Sequence, residues 1–217
     1  MTTIVIADDH ELVRESIASL LREVPSFSII GQCSNGRQVV KMVDRCRPNV
    51  AIVDVSMPEL NGIDAARQIR KVSPSTRIIA LSVYTDEAYI RDMINAGVCG
   101  FVVKSGAAQD LVDAVRMGSR GKLYFSEEIA DTAERIQNNK GKRKNGSSQT
   151  ECAITQRERE VLQLIGEGYS SVEIASKLSI GETTVKTHRN NLMDKLNVRD
   201  VAGLTRQAIR LKLIHIE

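Results

Sequence analysis

Four apolar runs, each closed by polar residues, set the rhythm of the first half of the chain. Thr3-Ile4-Val5-Ile6-Ala7 runs into Asp8 and Asp9, Val50-Ala51-Ile52-Val53 into Asp54, Ile78-Ile79-Ala80-Leu81 into Ser82, and Gly100-Phe101-Val102-Val103 into Lys104. Such runs lack the alternation of a half-exposed strand and read as strands covered on both faces. The stretches between them carry apolar stripes at helical spacing, which predicts amphipathic helices over residues 11–24, 35–45, 62–72, 87–96 and 109–116. Strands alternating with helices across short joints predict a doubly wound parallel sheet of five strands.

The pattern then changes. Residues 125–136 place Ile129, Ala133 and Ile136 at helical spacing, with Ser126 as candidate N-cap ahead of Glu127 and Glu128. Residues 138–150 are rich in Gly, Asn and Ser and hold Lys140, Lys142, Arg143 and Lys144, a composition that builds no core and reads as a solvated tether. Helices alone follow. Thr155 can cap a helix carrying Val161, Leu162, Leu164 and Ile165 and ending at Gly166 to Gly168, and further helices are expected over 171–178, 182–196 and 200–211. Ser179-Ile180-Gly181 joins the second and third of these, the tight glycine-containing turn of a helix-turn-helix, although a small four-helix bundle has the same pattern. The expected organisation is one domain over 1–121, a linker helix and basic tether over 122–150, and an all-helical domain over 151–217.

A length of 217 residues suits two such domains, and the net charge of +3 is mild. No apolar run approaches membrane-spanning length, and Met1 to Ile6 lead straight into a strand without the basic flank and cleavage site of a signal peptide. A cytoplasmic protein without a membrane partner is expected. Cys33, Cys46, Cys99 and Cys152 show no paired metal-ligand spacing and read as reduced packing residues.

The polar residues that close the apolar runs change the picture, because residues at the carboxyl ends of parallel strands converge on one edge. Asp8, Asp9, Asp54, Ser82 and Lys104 would meet in one crevice. Three neighbouring carboxylates repel one another, so keeping them ionised calls for a cation, and oxygen ligands suit hard Mg2+ or Mn2+. Asp54 is then a candidate nucleophile toward a phosphoryl group, with Lys104 to neutralise phosphate oxygens and Ser82 to donate to one. Singly, each residue also fits a helix cap or a strand end; five together argue for a site.

The segments Ile6-Ala7-Asp8-Asp9-His10, Val53 through Gly62, Ala80-Leu81-Ser82 and Ala96 through Lys104 resemble the receiver domain of two-component response regulators. The resemblance covers residues 1 to about 121 and implies a flavodoxin-like, CheY-like fold. It implies that Asp54 accepts a phosphoryl group from a sensor histidine kinase or phosphotransfer protein. It also implies direct Mg2+ ligation by Asp9 and Asp54, ligation through water by Asp8, and a further ligand in the backbone carbonyl of Ser56. Ser82 and Phe101 fall at the family's switch positions, with Phe101 expected to repack inward behind Ser82 on phosphorylation, and Lys104 at its lysine position.

With Val185 facing inward and about 100° per residue, Leu192 and Leu196 return to the core side of the helix over 182–196, while Thr183, Thr187, Asn190 and Asp194 point away, flanked by Lys186 and Asn191. Hydroxyls, amides and a cation suit base edges and phosphates, and His188, Arg189, Lys195 and Arg199 add donors nearby. Thr155 through Leu162, Gly168 through Ala175, Thr184 through His188 and Lys195 through Val198 resemble the LuxR-type helix-turn-helix of NarL/FixJ-type response regulators. This implies base contacts from Lys186, Thr187 and Asn190, and phosphate contacts near Thr184, His188 and Lys195. Gly181 stands where that family usually has a serine cap.

The expected function is a transcriptional regulator, not an enzyme, in which phosphorylation promotes homodimerisation and promoter binding, with RNA polymerase a candidate further partner. Val201, Leu204, Thr205 and Ala208 are candidate dimer contacts or packing within their own domain. An aspartyl-phosphate phosphatase also uses an aspartate and Mg2+, but the nucleophile here falls on the third strand with no Asp-x-Asp pair after the first. A receiver with an adaptor domain would bind no DNA.

Overall fold

A computed structural model describes residues 1–140 and 154–214, which form two compact units. In the first, strands β1 (Thr2–Ala7), β2 (Phe27–Cys33), β3 (Val50–Asp54), β4 (Arg77–Ser82) and β5 (Gly100–Val103) alternate with helices α1 (Glu11–Arg22), α2 (Gly36–Cys46), α3 (Gly62–Val72), α4 (Glu87–Ala96) and α5 (Ala108–Ser119). The strands pair in parallel in the order β2-β1-β3-β4-β5, with α-helical crossovers between them. Ile4, Ile6, Ile52, Ile79 and Leu81 of the sheet are buried against Ile17 and Leu21 of α1 and Leu111 and Val115 of α5. Asn35 and Asn61 fix the starts of α2 and α3, each accepting the amide three residues on, at 2.9 Å.

The sheet has six strands, not five. The sixth, β6 (Tyr124–Phe125), extends the far edge in parallel with β5. Tyr124 donates its amide to the Cys99 carbonyl and Ser126 its amide to the Phe101 carbonyl, both at 3.0 Å, so two residues satisfy an edge that would otherwise stand open. A strand of two residues has no period to detect, and Phe125 therefore reads as the start of a helix. That helix, α6, begins at Glu127 and runs to Lys140, burying Ile129, Ala133 and Ile136. The Ser126 hydroxyl accepts the Val103 amide at 3.2 Å, tying the start of α6 to β5. The remainder of the expected tether, with Lys142, Arg143, Lys144 and also Cys152, lies outside the described residues. Cys33, Cys46 and Cys99 are free thiols, and burial pushes the Cys33 thiol up to about 11.

The second unit consists of α7 (Gln156–Gly166), α8 (Ser171–Leu178), α9 (Glu182–Leu196) and α10 (Val201–Arg210). Reciprocal capping boxes start α7, between Thr155 and Glu158, and α8, between Ser170 and Glu173. Ser179 ends α8 in the left-handed region at φ 52°, and Ile180 donates its amide to Ala175, closing the turn into α9. Val161, Leu162, Leu164, Ile174, Val185, Leu192, Leu204 and Ala208 form the core. Two of the candidate dimer residues, Leu204 and Ala208, are thus buried in their own domain, while Val201 is exposed. No helix among the described residues is long and apolar enough to cross a membrane.

Candidate functional site

The order of the sheet reverses between β1 and β3, and at such a switch point the flanking loops part to leave a crevice at the carboxyl ends of the strands. Asp8 and Asp9 follow β1 and Asp54 ends β3, one on either side of that crevice, and Lys104 follows β5. The Lys104 ammonium lies 2.7 Å from Asp8 Oδ2 and 3.0 Å from Asp54 Oδ2. Asp8 and Asp54 are buried, whereas the Asp9 side chain is about a third exposed, at 32 %. Asp8 and Asp9 do not cap α1, whose N-cap is His10; Asp8 Oδ1 instead accepts the His10 amide at 2.9 Å. Ligand atoms of Asp8, Asp9, His10 and Asp54 all lie within 4.8 Å of one another. A mostly carboxylate donor set of this size fits a hard divalent cation.

Ser82 ends β4 and is buried, its hydroxyl accepting the Tyr84 amide at 2.8 Å. Ser56 lies two residues beyond Asp54, and its hydroxyl is buried without a hydrogen-bond partner among the described residues. Phe101, paired with Ala80 across β4 and β5, is fully buried. Its ring is buried in this structure.

Burial dominates the charge balance at Asp54 and pushes its carboxyl up to about 6; Lys104 pulls the other way, and Asp8 and Asp9 add to the rise. Burial would also lower the Lys104 ammonium, but Asp54 and Asp8 outweigh it and hold it above the usual lysine range. A carboxyl whose folded value is raised binds its proton more tightly in the fold, so ionising it costs stability as pH climbs from about 4 to about 6. Asp54→Asn should accordingly stabilise the metal-free protein by roughly 3 kcal/mol at pH 7 and by almost nothing at about pH 3. Urea unfolding in a chelator at both pH values measures this, and a stabilisation independent of pH would refute it.

On α9, Val185 and Leu192 are buried and Leu196 half-buried, while Thr183, Thr184, Lys186, Thr187, Asn190 and Asn191 are exposed and His188 and Arg189 half-buried. Lys186 pairs with Glu182 at 2.8 Å, and the Thr187 hydroxyl donates to the Thr183 carbonyl at 3.0 Å. Lys195 is placed differently from its neighbours. Its ammonium is 2.7 and 2.9 Å from the two oxygens of buried Glu158 on α7.

Residues 4–116 match the response regulator receiver domain, and residues 153–208 match the luxR family of bacterial regulatory proteins. The chain belongs to the response regulators. It is a DNA-binding two-component regulator. The transcriptional regulatory protein DegU of Brevibacillus brevis is 32% identical over 208 residues, covering 91% of this chain and 88% of its own. The response regulator protein VraR of Staphylococcus aureus is 32% identical over 197 residues and covers 91% of each chain. RcsB of Salmonella enterica serovar Typhimurium, bound to promoter rprA in the presence of a phosphomimetic, is a structural neighbour at TM-score 0.57 and 27% identity, covering 95% of this chain and 97% of its own. A structure of two RcsB dimers on two parallel DNAs gives TM-score 0.59 at 27% identity, with 99% of each chain covered.

Three features of this response regulator escape a reading of the sequence. His10 stands in the quoted Asp-Asp-His run, yet only the loop before α1 brings its Nδ1 to 3.0 Å from Asp9 Oδ1. Arg14, one turn into α1, sends its guanidinium back to the Asp8 carbonyl at 2.7 Å, an i to i+6 contact that helical periodicity does not signal. Gly62 starts α3 where the sequence places it, but nothing in the sequence signals how near it lies to β3: a Cβ there would sit 2.0 Å from the Asp54 carbonyl oxygen.

Proposed function

We propose that Asp54 takes a phosphoryl group from a sensor histidine kinase or a phosphotransfer protein, and that this event governs how α9 engages promoter DNA. The observation that carries the reading is the convergence of Asp8, Asp54 and Lys104 within 3.0 Å contacts in one buried pocket at the switch point of the sheet. In the transfer, an Asp54 oxygen forms a bond to phosphorus as the bond from phosphorus to the donor imidazole breaks, and the electron pair stays on nitrogen. Asp8, Asp9 and Asp54, with the Ser56 carbonyl, are the residues that would hold Mg2+; bound there, it supplies positive charge against carboxylate and phosphoryl oxygens. Lys104 then pairs with a phosphoryl oxygen in place of part of its present carboxylate contact, and Ser82 gives up the Tyr84 amide to donate to another. Phe101 adjusts within the core, beside β4, as Ser82 turns.

Lys186, Thr187 and Asn190 face bases from the exposed side of α9, with Thr183 and Asn191 beside them and Thr184 and His188 toward phosphates. The dimeric, DNA-bound state of RcsB supports a homodimer that reads two half-sites about one helical turn apart. The protein acts in the cytoplasm as a regulator, not as an enzyme, and contacts RNA polymerase at the promoter.

The test is selection of genomic fragments by the purified chain with Mg2+, with and without beryllofluoride. The expected result is a repeated half-site enriched only in the activated sample, with Asp54→Ala blind to the activator. Equal enrichment in both samples would reduce Asp54 to a tuning role. Absence of enrichment in either would leave an adaptor domain without DNA binding.

A further inference from the structure

On the reading of α9 as the helix that meets base edges, we propose that Glu182, a residue that reading leaves out, sets sequence specificity together with Lys186. The two read one G·C base pair, Glu182 accepting from the cytosine amine while Lys186 donates to guanine. Glu182 opens α9 and Lys186 stands one turn later on the same face. The Lys186 ammonium lies 2.8 Å from Glu182 Oε1, and both side chains reach into solvent, 46% exposed for Glu182 and 63% for Lys186.

Position singles out Glu182. In a helix-turn-helix the N-terminal residues of the second helix meet the base edges, and Glu182 is the first residue of α9, whereas Asp194, the other carboxylate of that helix, stands in its last turn. A carboxylate on a surface that approaches phosphates is repelled by them, a loss that an exposed i to i+4 ion pair is too weak to offset. A base amine removes that cost, since glutamate accepts from cytosine N4 and lysine donates to guanine O6 and N7.

The spacing fits a single pair. Guanine O6 and the cytosine amine hydrogen-bond to each other, so they stand side by side in the major groove as acceptor and donor, about 3 Å apart. Lys186 and Glu182 offer a donor and an acceptor 2.8 Å apart, in the complementary order. A T·A pair presents the same order, but a methyl group stands where guanine N7 would give Lys186 a second acceptor. A competing account makes Glu182 only a support that holds Lys186 in place. The two part at the cytosine amine: N4-methylcytosine still pairs with guanine, but its methyl replaces the amine hydrogen that points into the groove.

Half-sites are selected from random duplexes by the full chain, wild type and E182A, with Mg2+ and beryllofluoride. Fluorescence anisotropy then measures both proteins on the wild-type site, with cytosine or N4-methylcytosine at the pair E182A no longer selects, and on an unrelated duplex. The expected result is one G·C pair per half-site that wild type requires and E182A does not, with K186A losing selection at the same pair. Methylation there should lower wild-type affinity roughly ten-fold and leave E182A unchanged. On the unrelated duplex E182A should bind more tightly than wild type, because a negative charge has left the surface that faces phosphates. The same half-site profile for E182A and wild type, or an equal loss on methylation in both, would overturn the role of Glu182 and leave α9 reading bases through its other residues. If wild type selects no half-site, the reading of α9 falls and the role of Glu182 with it.

Discussion

Gly62→Ala should abolish phosphoryl uptake at Asp54 and cost about 3 kcal/mol of stability or more. A Cβ at Gly62 would sit 2.0 Å from the Asp54 carbonyl oxygen and 2.9 Å from both the Asp54 carbonyl carbon and the Val55 Cα. All three are backbone atoms, so no side-chain rotation relieves the clash. The surroundings are fixed as well: Gly62 donates its amide to the Val55 carbonyl and Val55 its amide to the Leu81 carbonyl, each at 2.9 Å. A methyl group must therefore push the first turn of α3 away from β3, or drag the end of β3 with it. Either movement takes the Asp54 carboxylate off its 3.0 Å contact with Lys104. Urea unfolding gives the stability change, and incorporation from a small-molecule phosphodonor gives the second readout. A variant with wild-type melting and uptake would show that the close approach does not constrain Asp54.

Lys195→Met should destabilise the helical unit by about 1–2 kcal/mol at pH 7, and Glu158→Gln by clearly less. The pair spans α7 and α9, with Glu158 only 4% exposed and Lys195 34% exposed. Removing the lysine strands a carboxylate in the interior; removing the carboxylate leaves an ammonium that can still reach water. Glutamine also keeps an oxygen for the Thr155 amide, which Glu158 now accepts at 2.7 Å. Burial works to raise the Glu158 carboxyl, but the bonds from Lys195 and Thr155 outweigh it and hold it below the usual range. A depressed carboxyl contributes stability that is present above its unfolded value near 4 and is lost as pH falls through its lower folded value. Wild type should thus lose stability in acid faster than E158Q, which chemical denaturation at pH 7 and pH 3 would reveal. If Lys195 spent its charge on a DNA phosphate instead, K195M would lower the salt slope of DNA binding by about 1. With its ammonium held by Glu158, the folded variant should keep that slope.

What the sequence determined by itself was whatever depends on local period and local chemistry. Strands covered on both faces must read as apolar runs, so β1, β3, β4 and β5 are visible together with the polar residues that close them. Glycine and capping residues mark helix ends within a few positions, so α8 and α9 stand where Ser171 to Leu178 and Glu182 to Leu196 place them. The convergence of Asp8, Asp54 and Lys104 followed from sheet topology, since parallel strands with crossover helices bring their carboxyl ends to one edge.

Tertiary structure decided what depends on groups far apart in the chain. The strand Tyr124–Phe125 exists because the edge of β5 needs partners, not because two residues have a period. Phe101 is sealed by the elements packed around β5, and Lys195 is drawn to Glu158, 37 residues earlier, once α7 and α9 enclose one core. Asp54 comes within reach of Asp8, Asp9 and His10 only when the loops after β1 and β3 lie side by side at the switch point of the sheet, whereas Gly62 meets Asp54 because the loop after β3 folds back on its own strand. Periodicity reports which face of an element is buried; which atoms meet across that face is set by the order and spacing of the elements, a property no single segment carries.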